Sequence, residues 1–277
     1  ISHVQQFADA VMLFQNDHIL LSLNRDFENS ATNKKLNKNN YTTGDVNRYI
    51  ASCLVNMFLP WLDNDKTWRQ FDFLPIMTNM CCNPRMKFIE VHTSALLSHN
   101  DQAKTSWQYI AEDLVKQMPI YDRLLNRAIN NIHALAIVRG GIQSNYDAQM
   151  IFRVLCSKGL APVPWIKLSS TKEPLRPSKN RTSTSEFTPP ENIDFLVSNS
   201  RPALSSTTKP IEVSLTICAN RTHILEFLNH VLVKVDVMLD GGAYLHWYAR
   251  HGVNRDLLDK SCHIVQQIID DYVDQLL

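Results

Sequence analysis

The chain has 277 residues, long enough for one large domain or two modest ones around a sizeable core. Its 28 Lys+Arg against 27 Asp+Glu leave a net charge of +1, which points to no nucleic acid and no acidic membrane surface as partner. An apolar share of 44% excludes a disordered chain, and no apolar run approaches the roughly 20 residues that span a bilayer.

The sequence starts at Ile1, without a Met, in a helix-like pattern, so we expect a piece cut from a longer chain. "AVMLFQN" (10–16) reads as a short buried strand and "DHILLSLNRDF" as a brief helix that Asn16 or Asp17 can cap. Residues 24–40, rich in Asn and Lys, read as a loop. "GDVNRYIASCLVNMFLP" follows with Val46, Tyr49, Ile50, Cys53, Leu54, Met57 and Phe58 at helical spacing. We expect Asp45 to cap this central helix and Pro60 to stop it.

Beyond it, 86–93 alternates as a half-buried strand and 103–118 reads as an amphipathic helix on Trp107, Ile110, Leu114 and Met118. A strand at 133–141, a helix at 145–158 and strands at 161–168 and 211–220 come next. Between the last two lies 169–210, rich in Ser, Thr, Pro and Lys, which we expect to be a flexible insertion with "DFLVSNS" as its one ordered part. Two helices, 222–239 and 254–277, close the chain, the second with apolar pairs from 257/258 to 276/277.

Six cysteines form no CxxC pair, and four sit in apolar surroundings, which suits a reducing compartment without disulfides. Three N-x-T sequons, at Asn40, Asn180 and Asn220, are then chance matches. His246 and His251 lie five apart, so they share no helix face, and no metal site is expected. His92 and His99 have no carboxylate patterned nearby, and phosphate-loop, zinc-protease and serine-hydrolase motifs are all missing. No catalytic constellation is expected from this stretch of chain.

The order of several short motifs carries more. "AYLHWYARHG" before the last helix resembles "AFLHWYTGEG" of the tubulin family, and "GDVN" resembles its "GDLN". "TNMCCNPRMKF", "AIVRGG" and "SLTICANRT" are similar to the family's "VNMVPFPRLHF", its strand ending in "RG", and its "ATFIGNST". The matches fall in the family's order from end to end, apart from 24–40 and 169–210. "NMFLP", "TSWQYIAEDLVKQM", "VRGGIQS" and the ending without an acidic tail look most like delta-tubulin, with epsilon-tubulin next.

The resemblance implies an α+β fold: a two-layer sandwich of a small mixed sheet with helices, followed by an antiparallel helical hairpin. Residues 1–60 would be a remnant of the nucleotide-binding domain with its core helix, 61–220 an intermediate domain, and 221–277 the hairpin. By resemblance, Asn16 and Asn47 contact the guanine of GTP, and Thr43 takes the place of a stacking tyrosine. An Asn amide offers the donor and acceptor that guanine's edge needs, although Asn16 as a plain helix cap is the competing reading. The GTP-bearing phosphate loop would lie in a missing N-terminal half.

The family's hydrolysis-triggering Asp and Glu, three residues apart, correspond to Asp72 and Pro75, and proline cannot polarise a water. Residues 94–105 fall where the family has a lateral-contact loop, with a solvated loop as the plain alternative. The implied role is a cytoskeletal assembly protein of the cytoplasm, at centrioles and basal bodies, with epsilon-tubulin, other tubulin-family subunits and centriolar proteins as partners. A GTP-hydrolysing, polymerising tubulin is the alternative. Tyr244, Trp247 and Tyr248 are expected to wedge the final hairpin onto the body, leaving Arg250 and His251 on a basic outer face.

Overall fold

The structure, a computed structural model, describes residues 1–30, 41–59, 61–62, 68–69, 74–97, 106–122, 126–140, 145–158, 160, 193–198 and 211–274. In chain order the elements are α1 (Ser2–Phe7), β1 (Val11–Met12), α2 (Asn16–Ser30), α3 (Thr43–Phe58), β2 (Trp61–Leu62), β3 (Trp68–Arg69), α4 (Leu74–Met80) and β4 (Phe88–Leu97). There follow α5 (Trp107–Gln117), β5 (Tyr121–Asp122), β6 (Arg127–Ala128), β7 (Asn131–Arg139), α6 (Asn145–Lys158), β8 (Ile193–Ser198) and β9 (Ile211–Arg221). The last are α7 (Ile224–Asp240), α8 (Leu245–Ala249) and α9 (Arg255–Asp274).

The fold is α+β, with a mixed sheet and a C-terminal helical pair. The sheet order is β1-β4-β9-β7-β8: β9 runs antiparallel to both β4 and β7, while β8 lies parallel to β7 and the short β1 parallel to β4. Alternation along the strands divides the core. Ala134, Ala136 and Val138 of β7 face α5 and α6, in a cluster with Ile110, Leu114, Ile151 and Leu155. Leu135 and Ile137, one step out of phase, face α3 and α4 with Cys53, Met57 and Met80. Helices thus pack on both faces of the sheet.

The helical pair joins at the end where β4 begins. Leu225, Leu228 and Leu232 early in α7 meet Val265, Ile268, Ile269 and Tyr272 late in α9, so the two helices run antiparallel. Met86 and Phe88 complete that cluster. Each fully buried leucine contributes about 2 kcal/mol.

Buried polar groups fix the joints. Arg139 donates from Nε to the Asn56 carbonyl at 2.7 Å and from Nη2 to the Leu59 carbonyl at 2.6 Å. A guanidinium therefore sits against the carbonyl end of α3, where cations are favoured. Asn220 donates to the carbonyls of Met80 (2.8 Å) and Met86 (2.7 Å) and accepts from the Tyr272 hydroxyl at 3.0 Å. One fully buried amide thereby ties α4, the approach to β4, and α9 together. A side chain so enclosed cannot accept a glycan, whereas the sequons at Asn40 and Asn180 lie outside the described residues.

Several local expectations shift. The strand expected at 10–16 pairs only through Val11 and Met12. α2 runs on to Ser30, into the expected loop, because 16–30 contains neither Gly nor Pro and its polar residues do not forbid a helix. Thr42, not Asp45, is the N-cap of α3. The Asp45 carboxylate accepts from the Thr42 N–H (2.9 Å) and hydroxyl (2.8 Å), closing a capping box. β4 continues to Leu97, inside the expected contact loop, and 98–105 lie outside the described residues. The strand expected at 161–168 also lies outside them, as do 169–192 and 199–210. Ile193–Ser198 within the expected insertion is a strand of the sheet.

Candidate functional site

Asn16 is the first residue of α2; Thr43 and Asn47 stand in the first two turns of α3. All three are exposed. The Ile19 N–H bonds the Gln15 carbonyl, which makes Gln15 rather than Asn16 the capping position by backbone pattern. Among the described residues none of the three side chains makes a hydrogen bond, so their amides and hydroxyl are not consumed by the fold. The two helices are linked where the Tyr41 hydroxyl donates to the Leu23 carbonyl at 2.7 Å.

Of the pair implied as a hydrolysis trigger, Asp72 lies outside the described residues. Pro75 falls in the first turn of α4, where a missing N–H breaks no helical bond, so it does not disrupt the helix.

A polar cluster that we did not expect from the sequence lies beneath α2. Glu90 on β4 accepts from Arg221 Nη1 at 2.7 Å, and Arg221 Nη2 donates to the Pro119 carbonyl at 2.6 Å. His223 Nδ1 and His92 Nε2 approach the other Glu90 oxygen at 3.3 and 3.4 Å. The His18 ring of α2 stacks on His223, with centroids 4.9 Å apart and planes 24° off parallel. Arg221 Nε is buried without a partner. His92 therefore does have a carboxylate beside it, two residues back on its own strand, contrary to the expectation above.

The electrostatics follow from this enclosure. Burial pushes Glu90 up, but the Arg221 charge and the hydrogen bonds of His223 and His92 outweigh it and hold the carboxyl well below its ordinary range. Burial, then the neighbouring His223, pulls His18 down, against the charges of Glu90 and Glu226. A cavity of ≈ 40 Å³ opens between these groups, with room for water rather than a metabolite. Beside it a cleft of ≈ 1040 Å³ runs between α2, α5 and the start of α7, sharing His18 and His223.

This arrangement can hold and move protons, but it presents no paired nucleophile. The Ser22 hydroxyl donates to the His18 carbonyl at 3.0 Å and so serves its own helix. Among the described residues no group of three or more His, Cys, Asp or Glu is arranged to hold a metal ion, and no helix is long and apolar enough to cross a membrane. All six cysteines are free thiols. Burial raises Cys53 to about 12 and Cys81 to about 11, so neither is a ready nucleophile.

The last candidate surface is the corner between α7 and α9. Tyr244, Trp247 and Tyr248 are 61%, 53% and 50% exposed, so they do not wedge the hairpin onto the body. The body is held instead by the leucine and isoleucine stripe of α7 and α9. The short α8 has no buried residue because Tyr244 and Gly242 adopt positive φ and turn it outward. Val237, Met238 and Leu257 are also exposed at this end, and the Arg250 guanidinium lies 4.8 Å above the Trp247 ring.

No protein-family model matches the chain, and no curated protein matches it. The functional reading therefore rests on the residues themselves.

Proposed function

We propose that the chain is the C-terminal half of a delta-tubulin-like assembly protein, which works through contacts between subunits at centrioles and basal bodies. The observation that carries this reading is the aromatic corner at 244–248, the same stretch whose motif resembles the tubulin family. Exposed aromatic and aliphatic side chains grouped at one end of a hairpin, rimmed by Arg250 and His251, have the composition of a docking surface. An α+β fold that closes on a helical pair is also what the resemblance implies. The named partner class is another tubulin-family subunit, epsilon-tubulin first.

In the full-length protein Asn16, Thr43 and Asn47 would contact the guanine of GTP. Their exposed side chains, free of bonds to other described residues, suit that use. Proline at position 75 offers no group to activate a neighbour's water, which disfavours the alternative of a hydrolysing, polymerising tubulin.

Binding of the purified chain to epsilon-tubulin tests the main reading. Trp247→Ala should weaken it about 30-fold, as loss of a central aromatic anchor does. A parent chain that shows no binding to any tubulin-family subunit sinks the reading. For the nucleotide, GTP binding by the full-length product should fall about tenfold in Asn47→Ala, the loss of one net hydrogen bond. No GTP binding by the parent would remove the nucleotide role from all three residues.

A further inference from the structure

The Glu90 cluster is unbalanced in a way that the assembly reading does not use. It holds one carboxylate, already matched by one guanidinium, with two imidazoles, His92 and His223, against that carboxylate and a third, His18, stacked on His223. With the imidazoles neutral the cluster carries no net charge. Any added proton leaves a positive charge in a pocket where Arg221 and His223 are 2% and 5% exposed. Burying an uncompensated charge is costly, and burial together with the neighbouring His223 disfavours the charged form of His18 where it is docked.

The part able to move is α2. From Asn16 to Leu23 its buried side chains are Ile19 and Ser22 alone, and Leu21 is 54% exposed. Among the described side chains of α2, the His18 ring stacked on His223 joins Ile19 and Ser22 in holding the helix to the body, and the Tyr41 hydroxyl ties Leu23 from outside. The groups facing His18 come from every element around it: Glu90 and His92 from β4, Arg221 from β9, His223 from the turn after β9, and Glu226 from α7. Tyr49 of α3 lines the cavity, and Glu112 and Lys116 of α5 line the adjoining cleft. Glu226 also lines that cleft, and its charge favours a protonated His18, against burial and His223.

We propose that this cluster is a proton-responsive joint, in which protonation of His18 breaks its stack on His223 and frees α2 from the sheet. The direction of the His18 shift has the matching sign. A histidine held low in the docked state is neutral and packed above the ordinary histidine range. Docking then weakens as pH falls below that range, because the undocked form takes the proton more readily. α2 begins at Asn16, so the joint would also govern the position of that amide, although the inference does not depend on its contacting a nucleotide.

The test is hydrogen exchange of the α2 amides 19–23 in the whole chain, corrected for the intrinsic pH dependence and referred to α6. Between about pH 8 and about pH 5, the span in which imidazoles titrate, α2 should lose protection relative to α6. We expect the loss to be at least about fivefold, the low end of linked equilibria. His18→Phe keeps a flat ring on His223 but cannot titrate, and should flatten the response. A parent whose α2 protection does not change with pH overturns the proposal, as does a His18→Phe chain that keeps the parent's response. Should that variant lose α6 protection and so fail to fold, the ring titration of His18 in the parent decides by nuclear magnetic resonance. Titration below free histidine, in step with the α2 amides, supports the joint; titration at or above it, or without them, refutes it.

Discussion

Replacing Glu90 with glutamine leaves Arg221 in place but removes its counter-charge. Arg221 is 2% exposed, with Nε already unpartnered; the glutamine oxygen can still accept from Nη1, but the guanidinium is left without a charge beside it. Breaking a buried pair by removing one partner costs about 3–5 kcal/mol. Because the Glu90 side chain is 16% exposed, some water reaches the site, and we place the loss at the lower end, about 3 kcal/mol. For a chain of this size that is a drop in Tm of at least about 6 °C. Urea unfolding at neutral pH should be run on Glu90→Gln, Arg221→Met and the double variant. The double should cost less than the sum of the singles by at least about 1 kcal/mol, since it removes both charges together. The pH dependence has a fixed sign. Glu90 is held well below its ordinary value of 4.5, so its contribution is present above 4.5 and lost as pH falls through the lowered value. The gap between parent and Glu90→Gln should therefore close in acid. A Glu90→Gln chain within about 0.5 kcal/mol of the parent, or strictly additive singles, would refute the account of Glu90 as the charge that permits Arg221 to be buried.

Asn220→Ala should cost about 3 kcal/mol in urea unfolding, because it strands the carbonyls of Met80 and Met86 and the hydroxyl of Tyr272; a loss below about 1 kcal/mol would contradict that. Gly252 has φ of 78° and nothing within 4 Å of an added Cβ, so Gly252→Ala isolates backbone strain. It should lower stability by about 1 kcal/mol, and an unchanged or raised Tm would show that the turn relaxes.

Much of the fold was legible because period alone decides it. The 133–141 run, the helix at 145–158 and the apolar stripe of the final helix became β7, α6 and α9, whose buried Val265, Ile268, Ile269 and Tyr272 follow helical spacing. What failed depended on contacts between distant segments. Asp45 looked like a cap because it precedes the apolar pattern, yet Thr42 three residues earlier completes the reciprocal pair. The aromatic corner looked like packing because aromatics usually bury, and only the positive φ at Gly242 and Tyr244 aims α8 outward. Asn16, Thr43 and Asn47 are exposed, and none of their side chains bonds another described residue.

The Glu90 cluster was half written in the sequence. "EVH" at 90–92 and "RTH" at 221–223 each place two polar groups two residues apart, and on a strand that spacing puts Glu90 and His92 on one face. Neither fragment means much alone, since a charged face on an edge strand is ordinarily solvated. The missing information was register. Glu90 lies opposite Ala219 in the β4–β9 ladder, so Arg221 falls at the diagonal position two residues on, within reach of a long side chain. A slip of one residue would have sent Arg221 to the α3 face, among Cys53, Met57 and Ile89, where a guanidinium has no carboxylate. The pair is therefore a device for fixing register as well as a polar site. Ala219, the ladder partner of Glu90, lines the same small cavity as His18 and His223. Lengthening position 219 should expel His18 before it disturbs the β4–β9 pairing, which separates the joint from the strand register beneath it.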